Sequence, residues 1–499
     1  MRAATRKLPL ENLVKVVWAL FLVFLPVTSF PFFPPAMGGG ALVRPLSIFP
    51  LLVLLALVTL PRLFTRPVPR TLIALVPFAL AALASSLLSL LQGVEPSLGV
   101  PVAERLARAL ITLGIGGAIY FSVALIPRSP EELRTSLRWL YAGFGIALLW
   151  GSLQAIYVVH FSPAYFKWIS EIQHYISTRR LFNMRVSGMT YEPNWFAEQI
   201  SFLLLPWLLS AVLTGYSAFR WRWRWLTLEW FMLAWALLVL PFTFSRAGLV
   251  VLVALAFVGI LFFRPKHKAG SQNDRAARLP GWARRAIEAG AVVLVLVGFI
   301  FFAGAKNTFF SRIWDYWGDI KETSLTGYFE YLGFGARFTY SETALRIYQE
   351  HPVFGVGLGN YAFYFEEMLP DRPLAQTPEV LRLVTPDVGR NRLITPKNLY
   401  FRLLAETGLV GTAFFLAFVT AILGCALYLW LSSDRDQKFW GTAGLLGLLA
   451  FALSAFSYDS FAIPNMWVVF GLITAAAWVY RSPRWSQSEE QIHPQRLLE

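Results

Sequence analysis

Apolar residues in this chain come in long runs. VLVALAFVGILFF (251–263) and AVVLVLVGFIFF (291–302) are two of many. Extended by their neighbours, such runs reach the roughly 20 residues that a bilayer-spanning helix needs. Twelve spans are predicted, over about 12–30, 46–61, 71–91, 101–126, 139–159, 193–213, 225–243, 246–263, 286–304, 408–431, 440–457 and 461–480. Most polar connections between them are short. Two are not: 160–192, rich in aromatics and arginines, and 305–396, about a fifth of the chain. Loops that long in an otherwise economical chain are usually functional. The pattern predicts an all-α integral membrane protein with about 12 transmembrane helices. A long, partly helical extracytoplasmic loop separates spans nine and ten. The expected division is 1–304 for spans one to nine, 305–396 for the loop, 397–480 for spans ten to twelve, and 481–499 for a disordered cytoplasmic tail.

Composition agrees. The chain is 56% hydrophobic and only 15% charged, too little polar surface for a soluble protein of this length. Net charge is +15, which in a membrane protein points to positive cytoplasmic loops rather than nucleic acid. With a cytoplasmic N-terminus, inside segments hold 24 Lys and Arg against 6 in the shorter outside loops. Both termini are therefore expected in the cytoplasm. FRWRWRW (219–225) interleaves Arg and Trp like an RNA patch, but at a cytoplasmic membrane edge it reads as an interfacial belt. The N-terminal apolar stretch is read as the first span and not as a signal peptide, because PFFPP stands where a small-residue cleavage site belongs. The single cysteine, Cys425, carries no disulfide information, and no Cys/His cluster has metal-ligand spacing. No cofactor is expected.

Within the long loop, HPVFGVGLGN (351–360) puts glycines at 355, 357 and 359. A dinucleotide loop needs G-x-G-x-x-G between a strand and a helix. Here the spacing is G-x-G-x-G and the preceding SETALRIYQEH has helical periodicity. A tight connection with close backbone approach is the better reading. Asn360 is then expected to cap a helix over NYAFYFEEML.

Further along, PKNLYFRLLAETGLVG (396–411) follows HPVFGVGLGNY. Together they resemble the O-antigen ligase and O-antigen polymerase superfamily of bacterial membrane glycosyltransferases. There a periplasmic loop carries P-x-x-G-x-G and returns to the membrane through H-N-x-Y-L and L-x-E-x-G-x-x-G. FSRAGLVVL (244–252) resembles the family's S-R-x-G segment, and EPNWFAEQI (192–200) its P-N-x-x-A helix start. One departure stands out. The family's favoured general base, the His before the Asn of H-N-x-Y-L, is replaced by Lys397, normally a cation and a poor base. Burial beside arginines would depress it; otherwise it binds phosphate.

The resemblance implies transfer of an oligosaccharide from undecaprenyl diphosphate to an acceptor hydroxyl on the outer face of the bacterial cytoplasmic membrane, without nucleotide or metal. Polymerisation of lipid-linked repeat units is the first expectation. A ligase passing the finished glycan to a lipid or other acceptor is the second, and a transporter or flippase of the same lipids the third. Implied partners are the lipid-linked oligosaccharide, the acceptor glycan or lipid, membrane lipids and a chain-length regulator, with no nucleic acid.

Such a reaction needs cations for a diphosphate and a base for a hydroxyl. Arginine suits the first, because its planar fork stays charged and bonds oxygens bidentately. Arg246 is the first choice, against simple snorkelling to headgroups. Arg337 matches an arginine that the family places ahead of P-x-x-G-x-G, against a surface helix charge. Arg185 precedes the EPNW segment, where Asn194 also stands. Arg105 and Arg108, three apart, share a helix face at the outer start of span four. Candidates for the base are Lys397, Glu192, which otherwise serves cap electrostatics, and His351, otherwise a helix end. Asn398 and Tyr400 match the family motif and either orient substrate or pack. Glu406 and Gly408 are expected to build the turn into span ten.

Overall fold

The structure is a computed structural model, and it describes residues 7–34, 42–97, 99–224, 226–263, 281–305, 307–319, 324–370, 378–385 and 393–481. The tail from 482 and most of the basic 264–285 segment, expected to be cytoplasmic, lie outside these residues.

The chain is an all-α integral membrane protein. A helix occupies each of the twelve predicted stretches. Among the described residues, eight are long and apolar enough to cross a membrane: Ile48–Thr65, Arg70–Leu91, Val102–Leu125, Pro130–Val159, Pro193–Thr214, Arg246–Phe263, Trp282–Phe302 and Leu399–Trp430. Leu228–Thr243 is a shorter apolar helix. Lys7–Val23, Arg435–Ser454 and Pro464–Arg481 complete the set. The first helix ends at Val23 rather than near residue 30, ahead of Pro26, which cannot continue the hydrogen-bond ladder. Pro464–Arg481 is apolar on all sides and buried from Pro464 to Ala477. It packs on Val102–Leu125, on Leu399–Trp430 and on Arg435–Ser454, as expected of a helix with no solvent or lipid face.

Among the described residues the only strands are Arg222–Trp223 and Leu226–Thr227, an antiparallel pair closed through Arg224 at φ 57°. Arg222–Trp223 of the FRWRWRW stretch is therefore one arm of a hairpin, with Trp221 and Trp223 exposed. It stands at the helix ends where Arg134 pairs with Asp436 and Arg138 donates to Ala218 O. Glu229 is tied down here too, accepting from the Ser217 hydroxyl and from Ala218 N.

The opposite helix ends carry the long loop. Its described helices are Thr308–Asp319, Leu325–Tyr331, Gly335–Glu350 and Pro378–Val384. A small core of its own, including Tyr340, Ile347, Val356, Tyr361 and Phe365, holds Gly335–Glu350 to the glycine stretch. Residues 360–363 form only a 3₁₀ turn. The helix expected over NYAFYFEEML is absent, because Asn360 is buried with its side chain turned to another helix.

Candidate functional site

The helix Leu399–Trp430 begins at Asn398, whose Oδ1 accepts from Tyr400 N and Phe401 N at 3.0 and 3.3 Å. It is broken at Gly408, which has φ 62° and ψ −164°. A break strands the carbonyls before it and the amides after it, and in a bilayer those groups need partners. The glycine stretch supplies them. Val356 N donates to Ala405 O and Gly357 N to Glu406 O, both at 3.0 Å. In return Leu409 N donates to Pro352 O at 2.8 Å and Val410 N to Val353 O at 3.1 Å. A Cβ on Gly355 would stand 2.6 Å from Ala405 O, and one on Gly408 would stand 2.4 Å from Val353 O. Only glycine lets two backbones meet this closely, and both have φ in the left-handed region.

Neighbouring helices clamp the plug. The Ser85 hydroxyl donates to Glu406 O at 2.7 Å, Leu358 N donates to the Ser86 hydroxyl, and Asn360 Nδ2 donates to Ser89 Oγ at 2.7 Å. Arg105 Nε donates to Gly359 O at 2.8 Å. Below the cap, Arg402 pairs with Glu406 at 2.8 Å, with side chains 7% and 0% exposed, and Arg402 also donates to Asp459 O. Two buried charges one turn apart neutralise each other, which a charge among apolar helices requires.

Lys397 stands directly above. Its backbone is left-handed, φ 54°, a costly conformation for a side chain with a Cβ. Asp459 Oδ2 holds it by accepting from Lys397 N at 2.8 Å. The side chain then reaches Glu379 Oε1 at 2.7 Å and lies 5.0 Å from the Tyr340 ring centroid. Tyr340 donates its hydroxyl to the same Glu379 oxygen at 2.9 Å. Burial alone would raise the Glu379 carboxyl, but the bond and charge of Lys397, the Tyr340 bond and nearby Arg337 together hold it below the usual range. Tyr340, buried beside that carboxylate, is raised. Arg337 Nη1 reaches Ser457 O at 3.5 Å, in the same turn that carries Asp459.

A second cluster gathers at the start of Arg246–Val258. Arg246, one residue past the capping Ser245, donates to Leu332 O at 2.6 Å. Arg185 donates to Thr243 O at 2.8 Å and to Asn194 Oδ1 at 2.7 Å. Burial pulls the Arg185 guanidinium down to about 10, with Glu192 opposing and Arg246 adding to the effect. Glu192 pairs with Arg179 at 2.7 Å, and Arg179 lies over the rings of Phe182 and Tyr191. The two clusters are joined by the chain itself, since Leu332 bonds Arg246 while Arg337 and Tyr340 stand one and two turns into the helix that follows.

Arg246, Arg185, Glu192 and Asn194 thus come together around one helix start. Lys397 and Arg337 come together around Glu379. Arg105 and Arg108 part company: Arg105 bonds the glycine plug, whereas Arg108 is 65% exposed and pairs with Glu104 on its own helix. His351 ends Gly335–Glu350 and meets Tyr364 edge-on. Tyr400 donates to Ala452 O and packs on Phe456, so it and Asn398 spend their polar groups inside the fold. Sequence reasoning passed over Glu379, Tyr340 and Asp459, which lie outside the quoted motifs. It also passed over Ser85, Ser86 and Ser89, whose SSLLS run in an apolar helix was a usable signal.

Fold and site together define a polytopic α-helical membrane protein whose helical cap is threaded into a broken helix, with charged clusters beneath it. The family model described as O-antigen ligase (Wzy_C) matches residues 231–416. The match spans less than half of the chain, and over that stretch the chain is similar to this family. The matched stretch contains Arg246, Arg337, Glu379 and Lys397, and leaves Arg185, Glu192 and Asp459 outside it. No curated protein matches the chain.

Proposed function

We propose that this protein is a glycosyltransferase that moves an oligosaccharide from undecaprenyl diphosphate to an acceptor hydroxyl. It acts on the outer face of the bacterial cytoplasmic membrane, with both termini inside. One observation carries the reading: a cation-rich cluster and an acid-containing cluster share one end of the bundle and are joined by residues 332–340. Arg246 and Arg185 hold the diphosphate, and Asn194 orients Arg185. Charge that builds on the leaving diphosphate is stabilised there, the larger catalytic term in such a transfer. Arg337 and Lys397 extend the positive field toward the acceptor. Glu192 positions Arg179 at the rim. No nucleotide and no metal are needed, because lipid diphosphate is already a good leaving group.

Polymerisation of lipid-linked repeats is the favoured form. Ligation to a separate acceptor is the second reading, favoured by the description of the matching family. A transporter is supported less, because buried Glu229 is already bonded to Ser217 and Ala218 rather than presented to a substrate path. The test uses purified protein in liposomes with undecaprenyl-diphosphate oligosaccharide. A ladder of longer lipid-linked chains is the expected result. Product only after a second acceptor is supplied selects the ligase. No product with any acceptor overturns the reading.

A further inference from the structure

Resting on that proposed transfer, we infer that Glu379 takes the proton from the acceptor hydroxyl, with Lys397 and Tyr340 as its positioning residues. A lysine ammonium has no lone pair to offer, and Lys397 Nζ is paired with the Glu379 carboxylate at 2.7 Å. The other acids near it are spent. Asp459 Oδ2 is bonded to Lys397 N and the residue is buried. Glu406 is fully buried against Arg402. Glu192 belongs to the other cluster, paired with Arg179.

Glu379 differs on each point. Its side chain is 52% exposed, on the first turn of Pro378–Val384. Both positioning donors converge on Oε1, which fixes that oxygen, and the acceptor hydroxyl is assigned to the other, Oε2. Its second role follows from charge. A carboxylate bonded by one cation, Lys397, and by the Tyr340 hydroxyl stays deprotonated at neutral pH, so it is ready to accept. The step balances as a displacement. The acceptor O–H proton passes to Oε2 while the oxygen forms a bond to the anomeric carbon. The bond from that carbon to the diphosphate oxygen breaks and its electron pair leaves with the lipid diphosphate. Glu379 then returns the proton to water.

The experiment compares wild type, Glu379→Gln and Lys397→Met in liposomes with lipid-linked oligosaccharide, reading kcat and KM for the donor across pH. Glu379→Gln keeps the hydrogen-bonding shape and is expected to lower kcat by roughly 10²–10⁴-fold, the usual share of a general base. Its donor KM stays within about twofold. Lys397→Met leaves the carboxylate in place and loses less, and its kcat falls at higher pH than wild type on the acid side because the carboxyl no longer has its cation. If Glu379→Gln keeps kcat within tenfold of active wild type, or if Lys397→Met is the more damaging change at every pH, Glu379 is not the base. A Glu379→Gln protein that does not fold is replaced by Glu379→Asp, whose expected partial kcat with an unchanged donor KM decides the same question. Inactive wild type with every acceptor counts against the proposed transfer instead.

Discussion

The two charged clusters at the cap end are built differently. Around Lys397 the positive groups meet acids: Lys397 with Glu379, and Arg402 with Glu406 and the turn of Asp459. Around Arg246 they meet neutral oxygens as well, Leu332 O for Arg246, and Thr243 O and Asn194 Oδ1 for Arg185, beside the Arg179–Glu192 ion pair. A carbonyl satisfies a guanidinium's donors without cancelling its charge, whereas a carboxylate does both. In the proposed transfer one cluster takes the anion and the other holds the proton-accepting group in place. Burial pulls Arg185 down to about 10 against the opposing charge of Glu192.

The largest expected effect removes the footing of one cluster. Gly408→Ala puts a Cβ 2.4 Å from Val353 O at a left-handed φ. It should cost at least about 2–3 kcal/mol and unseat the plug beneath Lys397. The check is folded yield and thermal midpoint in detergent; a normal midpoint would mean the plug is not needed. Arg246→Ala comes next, with transfer lowered by roughly 10²–10³-fold, the range seen for loss of one donor to developing charge. Folding should change little. Full activity in a well-folded variant would take Arg246 out of the site and dissolve the contrast.

Lys397→Ala removes one charge-assisted bond, worth about 1.5–3 kcal/mol, and so about 10–100-fold in transfer. Lys397→His should lose less, since an imidazolium still pairs with Glu379. Equal losses would assign Lys397 a role that only a lysine fills. The pH profile separates the clusters at opposite ends. Arg185 is a cation below its folded value and loses charge above it, so donor capture should weaken as pH rises through about 10. Glu379 is held below the usual carboxylate range. Turnover should therefore persist through weakly acidic pH and fall only below the usual carboxylate range, with no histidine-like limb near about 6.5. The smallest effect belongs to Arg108→Ala. An exposed pair within one helix is worth about 0–1 kcal/mol, so activity should be unchanged, while Arg105→Ala weakens the glycine plug and lowers the thermal midpoint.

Helical class, the position of nearly every long helix and the location of the glycine plug were all readable from the linear order of residues. Length and hydropathy are local properties, and a bilayer span is set by them alone. The short motifs likewise singled out Arg246, Arg337 and Lys397, which the proposed site uses. Other features were not readable. Glu379 sits 18 residues before Lys397 in a stretch with no motif, and Asp459 follows it by 62. Their meeting depends on where the loop folds back and where the turn after Ser454 points. Arg105 and Arg108 looked equivalent on one helix face, and only the packed glycine stretch distinguishes them. Asn360 looked like a helix cap, but Ser89, 271 residues away in sequence, claims its side chain. Which helices cross the membrane is written in single runs of apolar residues. Which charges pair is a matter of three-dimensional distance, because electrostatic energy depends on separation in space and not on separation along the chain.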